Sequence, residues 1–243
     1  MTKTHGRRWC FCLTALIVVT EMSACALVGA LPFGGDSWQE EVLLHEGSTI
    51  VVERTVERGG RHEVGQPPPI KEQTITFTLP ESKTRMTWTS EYGEDIGRTN
   101  FLLLAVHVLN GTPYLVTEPN LCLAYNKWGR PNPPYVVFKY DGTAWQRIPL
   151  ADLPVEFTTL NVVISLDSGI VQKMVKRGLV PVEEIRKLNR ALPQPEFKTL
   201  LREPVKIGSE GTAVNCPEMV FYKGAWVGPG DSIGKRMRDR ESK

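Results

Sequence analysis

The sequence has little histidine and little cysteine, four and five residues respectively among 243. His5, His45, His62 and His107 are scattered, with no HExxH or HxH pattern and no cysteine partner, so the spacing of a zinc site is missing and no metal is expected. GxSxG, SxxK and the glycine-rich loops that cradle phosphates or dinucleotides are absent as well. Gly208-Ser209-Glu210-Gly211 sets a serine between glycines, without the strand-to-helix context of a nucleophile elbow. Acids are plentiful, with Glu91, Glu94 and Asp95 clustered, but a catalytic carboxylate pair is defined by geometry that a sequence does not give. No catalytic residue and no cofactor are assigned.

A surplus of charge is also lacking. Lys plus Arg is 29 and Asp plus Glu is 27, for a net +2. Lys3, Arg7, Arg8 and Glu21 lie in the first 25 residues, so the remaining body is balanced. A balanced body lacks the phosphate-pairing excess on which nucleic-acid binding rests. Hydrophobic residues at 41% and charged residues at 23% are ordinary globular usage.

No apolar run is long enough for a permanent span. Trp9–Thr20 (WCFCLTALIVVT) holds about a dozen residues behind a basic start, which fits the ~7–15 of a signal-peptide core and not the ~20 of a membrane helix. Residues 1–25 therefore read as an export signal. Met22-Ser23-Ala24-Cys25 resembles the lipobox of bacterial lipoproteins, in which small residues enter the protease and the thiol accepts the diacylglyceryl group. By that resemblance Cys25 is lipidated, and Ala26 after it points to the outer rather than the inner membrane. Cleavage after Val28-Gly29-Ala30, which would release a soluble protein, and an uncleaved anchor are the alternatives.

Setting aside Cys10, Cys12 and Cys25 leaves Cys122 and Cys216. An even pair in an oxidising compartment most simply forms one disulfide, two separate buried thiols being the other reading.

Residues 26–37 read as a flexible tether, 38–234 as one domain and 235–243 as a disordered basic tail. Thr74–Leu79 alternates strictly between threonine and Ile75, Phe77 and Leu79, and Met86–Thr89 repeats the scheme. Asn110-Gly111 and Asp141-Gly142 between apolar runs signal hairpins with type I′ turns, and Glu46-Gly47 and Lys223-Gly224 are weaker copies. These patterns predict a mainly β domain, a hairpin-rich antiparallel sheet or sandwich, with α+β at the margin. The exception is a helical pair near 166–192. Ile170, Val171, Met174 and Val175 form one stripe, and Val182, Ile185, Leu188 and Leu192 form another. Its polar faces carry a local excess of bases, a solvated face or a contact for anionic headgroups. The loop at 59–70 (GGRHEVGQPPPI) reads as extended and exposed.

The most distinctive stretch, 111–150, interleaves aromatics with amide and cationic side chains. Tyr125, Trp128, Arg130 and Tyr135 are its candidate ligand patch, since aromatic faces beside guanidinium donors stack on flat ligands; the rim of an ordinary β core is the plainer reading. His107, in Ala105–Val108, reads as a structural histidine. HEGSTIVVERTVERGGRHEVGQ (45–66) and YNKWGRPNPPYVVFKYDGTAWQRIPL (125–150) resemble uncharacterised predicted lipoproteins of proteobacteria, best over 40–165. The resemblance implies a bacterial envelope protein facing the periplasm and adds no catalytic residue. The expectation is a non-enzymatic binding, assembly or structural protein, held to the membrane by its lipid and contacting other envelope proteins. A periplasmic hydrolase or carbohydrate-active enzyme, and a soluble secreted accessory protein, are the alternatives.

Overall fold

The computed structural model describes residues 35–208 and 212–241. The export signal, Cys25, the cleavage sites and most of the tether lie outside them. Along the chain come strands β1 (Asp36–Leu43), β2 (Thr49–Arg58), β3 (Ile70–Thr78), β4 (Arg85–Ser90), β5 (Tyr92–Gly93), β6 (Arg98–Thr99), β7 (Phe101–Leu109) and β8 (Thr112–Pro119). Helix α1 (Leu121–Lys127) leads to β9 (Val136–Tyr140) and β10 (Trp145–Ile148). Helices α2 (Ser168–Arg177) and α3 (Val182–Arg190) flank β11 (Leu179–Val180), and β12 (Val220–Tyr222), β13 (Ala225–Val227) and α4 (Ser232–Glu241) complete the chain.

Two main sheets result, β11-β1-β2-β3-β4 and β10-β9-β8-β7, antiparallel except for the β1–β11 pair. Alternation dictates the first. Ile75 and Phe77 turn inward opposite Trp88 and Met86, while the Thr74–Thr89 and Thr76–Thr87 hydroxyls pair outside at 3.0 and 3.2 Å. Val42, Val52, Ile75, Phe77 and Trp88 share one core with Phe101, Leu103, Val106 and Leu115 of the second sheet, so the two sheets form a sandwich. The opposite face of β7–β9 is buried too, with Leu104, Ala105, Val116 and Val137 packing on Leu153, Phe157 and Leu200. A strand covered on both sides needs apolar residues at every position, so FLLLAVHVL has no alternation.

The helical pair at 166–192 is present, with the predicted stripe facing in: Val171, Met174 and Ile185 pack with Trp38, Val56 and Val180. Gly178 ends α2 at φ +81°, a conformation that favours glycine. Asn110 and Gly111 adopt φ +49° and +73° between Leu109 and Thr112, the predicted type I′ turn. Lys223 and Gly224 form another at +43° and +84°.

Three expectations are corrected. Asp141-Gly142 is no two-residue type I′ turn, because Tyr140 pairs with Trp145 and leaves a four-residue loop. There the Asp141 carboxylate accepts from the amides of Thr143 and Ala144 and from the Thr143 hydroxyl, which holds it well below the usual carboxylate range. The tether read over 26–37 runs into β1, which starts at Asp36 because its backbone pairs with Val56. Of the tail read as disordered over 235–243, the described part continues α4 to Glu241. Asp239 ties that helix to the β12–β13 hairpin through the Tyr222 hydroxyl (2.8 Å) and the Lys223 ammonium (2.6 Å).

A buried polar cluster stitches the first sheet to residues 161–164. Arg54 is 1% and Glu40 0% exposed. Arg54 Nη1 donates to Glu40 Oε1 at 3.1 Å and to the Val163 carbonyl at 2.6 Å, and Nη2 donates to Gln73 Oε1 at 3.0 Å. Glu40 also accepts from Trp38 Nε1 (2.8 Å) and the Val163 amide (2.9 Å), while the Gln73 amide donates to the Phe101 carbonyl.

Candidate functional site

The four residues of the predicted patch do not assemble into a ligand surface. Tyr125 is buried with Val205 and Val214. Arg130 lies 5.0 Å over its ring and spends its guanidinium on the carbonyls of Cys216 (2.7 Å) and Pro217 (3.2 Å) and on Asn126 Oδ1 (3.0 Å). Tyr135 is buried, and its hydroxyl donates to the Glu196 carbonyl at 2.7 Å; burial raises its pKa. Trp128 opens on an aromatic recess of ≈ 470 Å³ with Trp88, Phe101, Phe138 and Trp145, and Tyr135 on a separate hollow of ≈ 390 Å³ beside Pro133 and Arg147. The Trp128 Nε1 is held by Asn100 and its ring lies 4.5 Å from that of Phe101. The patch is therefore scaffold: Arg130 and Tyr135 spend donors on backbone carbonyls of the domain, and Arg130 and Trp128 also donate to the side chains of Asn126 and Asn100. Cys122 and Cys216 are joined as a disulfide, Cα atoms 5.2 Å apart, tying α1 to the turn at Ala213–Asn215.

His107 is structural as expected. It is fully buried and stacked on Phe157 at 4.4 Å, with Nε2 2.9 Å from the Thr159 carbonyl. Burial holds its pKa down to about 4, so the ring is neutral.

A larger concavity lies elsewhere, a groove of ≈ 860 Å³ between the 59–70 loop and the segment 164–168. Pro67–Pro69 stiffen one wall, and Leu102, Leu121, Leu166 and Phe197 give it an apolar bed. Arg58, Arg61 and Arg98 line it, and among the described residues none is ion-paired to a carboxylate. Arg58 Nη2 donates to the Leu166 carbonyl at 2.8 Å and Arg61 Nη2 to the Glu94 carbonyl at 3.4 Å, contacts that leave other donors of each fork over. The amino end of α2 opens here as well, at Asp167 and Ser168, with no side chain capping its first-turn amides. Glu63 and Asp167 are the acids on the groove. Leu121, 59% exposed, takes φ +67°, a strained setting for a branched residue that puts an apolar side chain on its floor.

A second chamber, ≈ 480 Å³, shares Leu102, Leu121 and Phe197 with the groove. Its polar lining is Glu118, Gln194, Thr212 and Asn215, and its back is the disulfide. Glu118 is 6% exposed, and no hydrogen bond or ion pair reaches its carboxyl among the described residues. Burial, reinforced by the nearby Glu196, pushes it up to about 8. Glu196 is fully buried with both carboxyl oxygens unpartnered, as is Gln194 Oε1.

Sequence reasoning missed these residues. Glu118 stands in an apolar strand, PYLVTEP, just as His107 does, and a lone acid in such a run is the available signal. Arg58 and Arg61 bracket the proline loop but meet Arg98 only through the fold. No family model, curated protein or solved structure matches the chain.

Proposed function

We propose that this is a non-enzymatic binding protein of the bacterial envelope, anchored through Cys25, whose groove takes an anionic amphiphile. The observation that carries the reading is three carboxylate-free guanidinium groups and an uncapped helix amino end above an apolar bed. Guanidinium forks and helix amides both favour phosphate or carboxylate. Leu102, Leu121, Leu166 and Phe197 suit an alkyl chain beside that head. The lipid anchor read from the sequence brings the groove to a surface rich in such molecules. Each charge-assisted hydrogen bond contributes about 1.5–3 kcal/mol, so two lost arginines cost more than tenfold in affinity.

Titration of the mature protein with dodecyl phosphate tests this. The wild type binds it, dodecanol binds far more weakly, and the Arg61→Glu/Arg98→Glu variant loses at least tenfold. Equal affinity in wild type and variant overturns the reading.

A further inference from the structure

Among the described residues no cationic side chain lines the chamber behind the groove, and its one charged residue is an acid. Glu118 lines it at the end of β8, 6% exposed and without a partner among the described residues. Gln194 lines it too, with an unpartnered Oε1. Glu196 sits between Gln194 and Phe197, both of them lining residues, and neither of its buried oxygens has a donor. A buried carboxylate without a partner is costly, and two close together are costlier still. The remaining walls, Leu102, Pro119, Leu121, Phe197, Ala213 and the cystine, are largely apolar.

We propose that this chamber binds a primary alkylammonium group, with Glu118 as its carboxylate partner, Gln194 as a supporting acceptor and the buried Glu196 behind them adding negative charge. An ammonium carries three donors and no acceptor, the complement of the Glu118 carboxylate and the unpartnered Gln194 Oε1. Its alkyl stem matches the apolar walls, whereas calcium requires six to eight oxygens. Among the described residues no three metal-ligating side chains come together. The chamber and the groove share three apolar residues but no polar one, so failure of either reading leaves the other intact.

Binding is coupled to proton release. Burial and the Glu196 carboxylate hold the Glu118 carboxyl up, and Glu118 in turn adds to the burial that raises the nearby Tyr125 and Tyr135 hydroxyls. Glu118 holds its proton up to about pH 8 in the free protein and must give it up to the solvent to pair with a cation. The ammonium stays charged throughout, its pKa lying near that of lysine. Affinity therefore rises about tenfold per pH unit below pH 8 and levels off above it.

Calorimetric titration with n-hexylammonium chloride tests the assignment. Wild type binds at pH 7.5, about tenfold more weakly at pH 6.5, and takes no calcium in the same cell. Glu118→Gln, near-isosteric and neutral, melts no lower than wild type and loses the binding and its pH dependence. Arg61→Glu/Arg98→Glu retains both. Unchanged binding in a folded Glu118→Gln variant, no binding by wild type at millimolar hexylammonium, or calcium bound in its place would each overturn it.

Discussion

Replacing Arg54 with methionine lowers the unfolding free energy by about 3–5 kcal/mol, the effect of removing one partner from a buried ion pair. The variant strands Glu40, which is 0% exposed and accepts from Arg54 at 3.1 Å. It also removes the donors to the Val163 carbonyl and Gln73 Oε1, so residues 161–164 lose a tie to the first sheet. The measurement is a urea transition, in which the midpoint falls while the slope is retained. Adding Glu40→Leu removes the stranded carboxylate but recovers only part of the loss, because Trp38 Nε1 and the Val163 amide then lose their acceptor. A loss below about 1 kcal/mol in the single variant would mean that the cluster is not closed as described.

Changing Cys122 and Cys216 together to serine costs up to about 4.7 kcal/mol, the chain-entropy value for a bridge spanning a sequence separation of 94. Around the bridge, Asn126 Nδ2 donates to the carbonyls of Cys122 (2.8 Å) and Pro217 (2.9 Å), and Arg130 reaches the Cys216 carbonyl. These contacts remain in the serine variant but are no longer held by a covalent closure. Thermal melts with and without reductant read the loss, and the intact mass of the untreated protein is lower by two hydrogens than that of the reduced chain. Two freely alkylating thiols in unreduced protein would contradict the bridge. Because the cystine backs the ammonium chamber, the same variant weakens hexylammonium binding while leaving dodecyl phosphate binding at the groove largely unchanged.

The β architecture was legible wherever one short-range rule governed. Thr74–Leu79 alternates because one face of β3 is wet, and Asn110-Gly111 turns because both residues tolerate positive φ. The α2 and α3 stripes matched because those helices bury a single face. Prediction failed where a side chain found polar partners that the turn and composition signals do not encode. The Asp141 side chain captured three donors and opened a two-residue turn into four. Asp239 found Tyr222 and Lys223 and gave the basic C-terminal segment a helical contact.

The site was less legible for the same reason. Arg130 and Tyr135 have the composition of a ligand patch, yet the carbonyls that absorb them, at Cys216, Pro217 and Glu196, come from residues more than sixty positions away. Conversely, Arg58, Arg61 and Arg98 look like surface charges until the segment 164–168 closes the far side of their groove. Glu118 and Glu196 are 78 positions apart and become a pair only when the residues around Phe197 pack against the end of β8.

Amide hydrogen exchange in the presence and absence of dodecyl phosphate tests the central claim most directly, because it reports where the amphiphile sits. Protection is predicted at 58–62, 164–168 and 120–122, the backbone around the arginine-lined groove, with little change over 135–147. Protection confined to 125–147, or no change at any amide while ligand is bound, would contradict the assignment of the groove as the binding site.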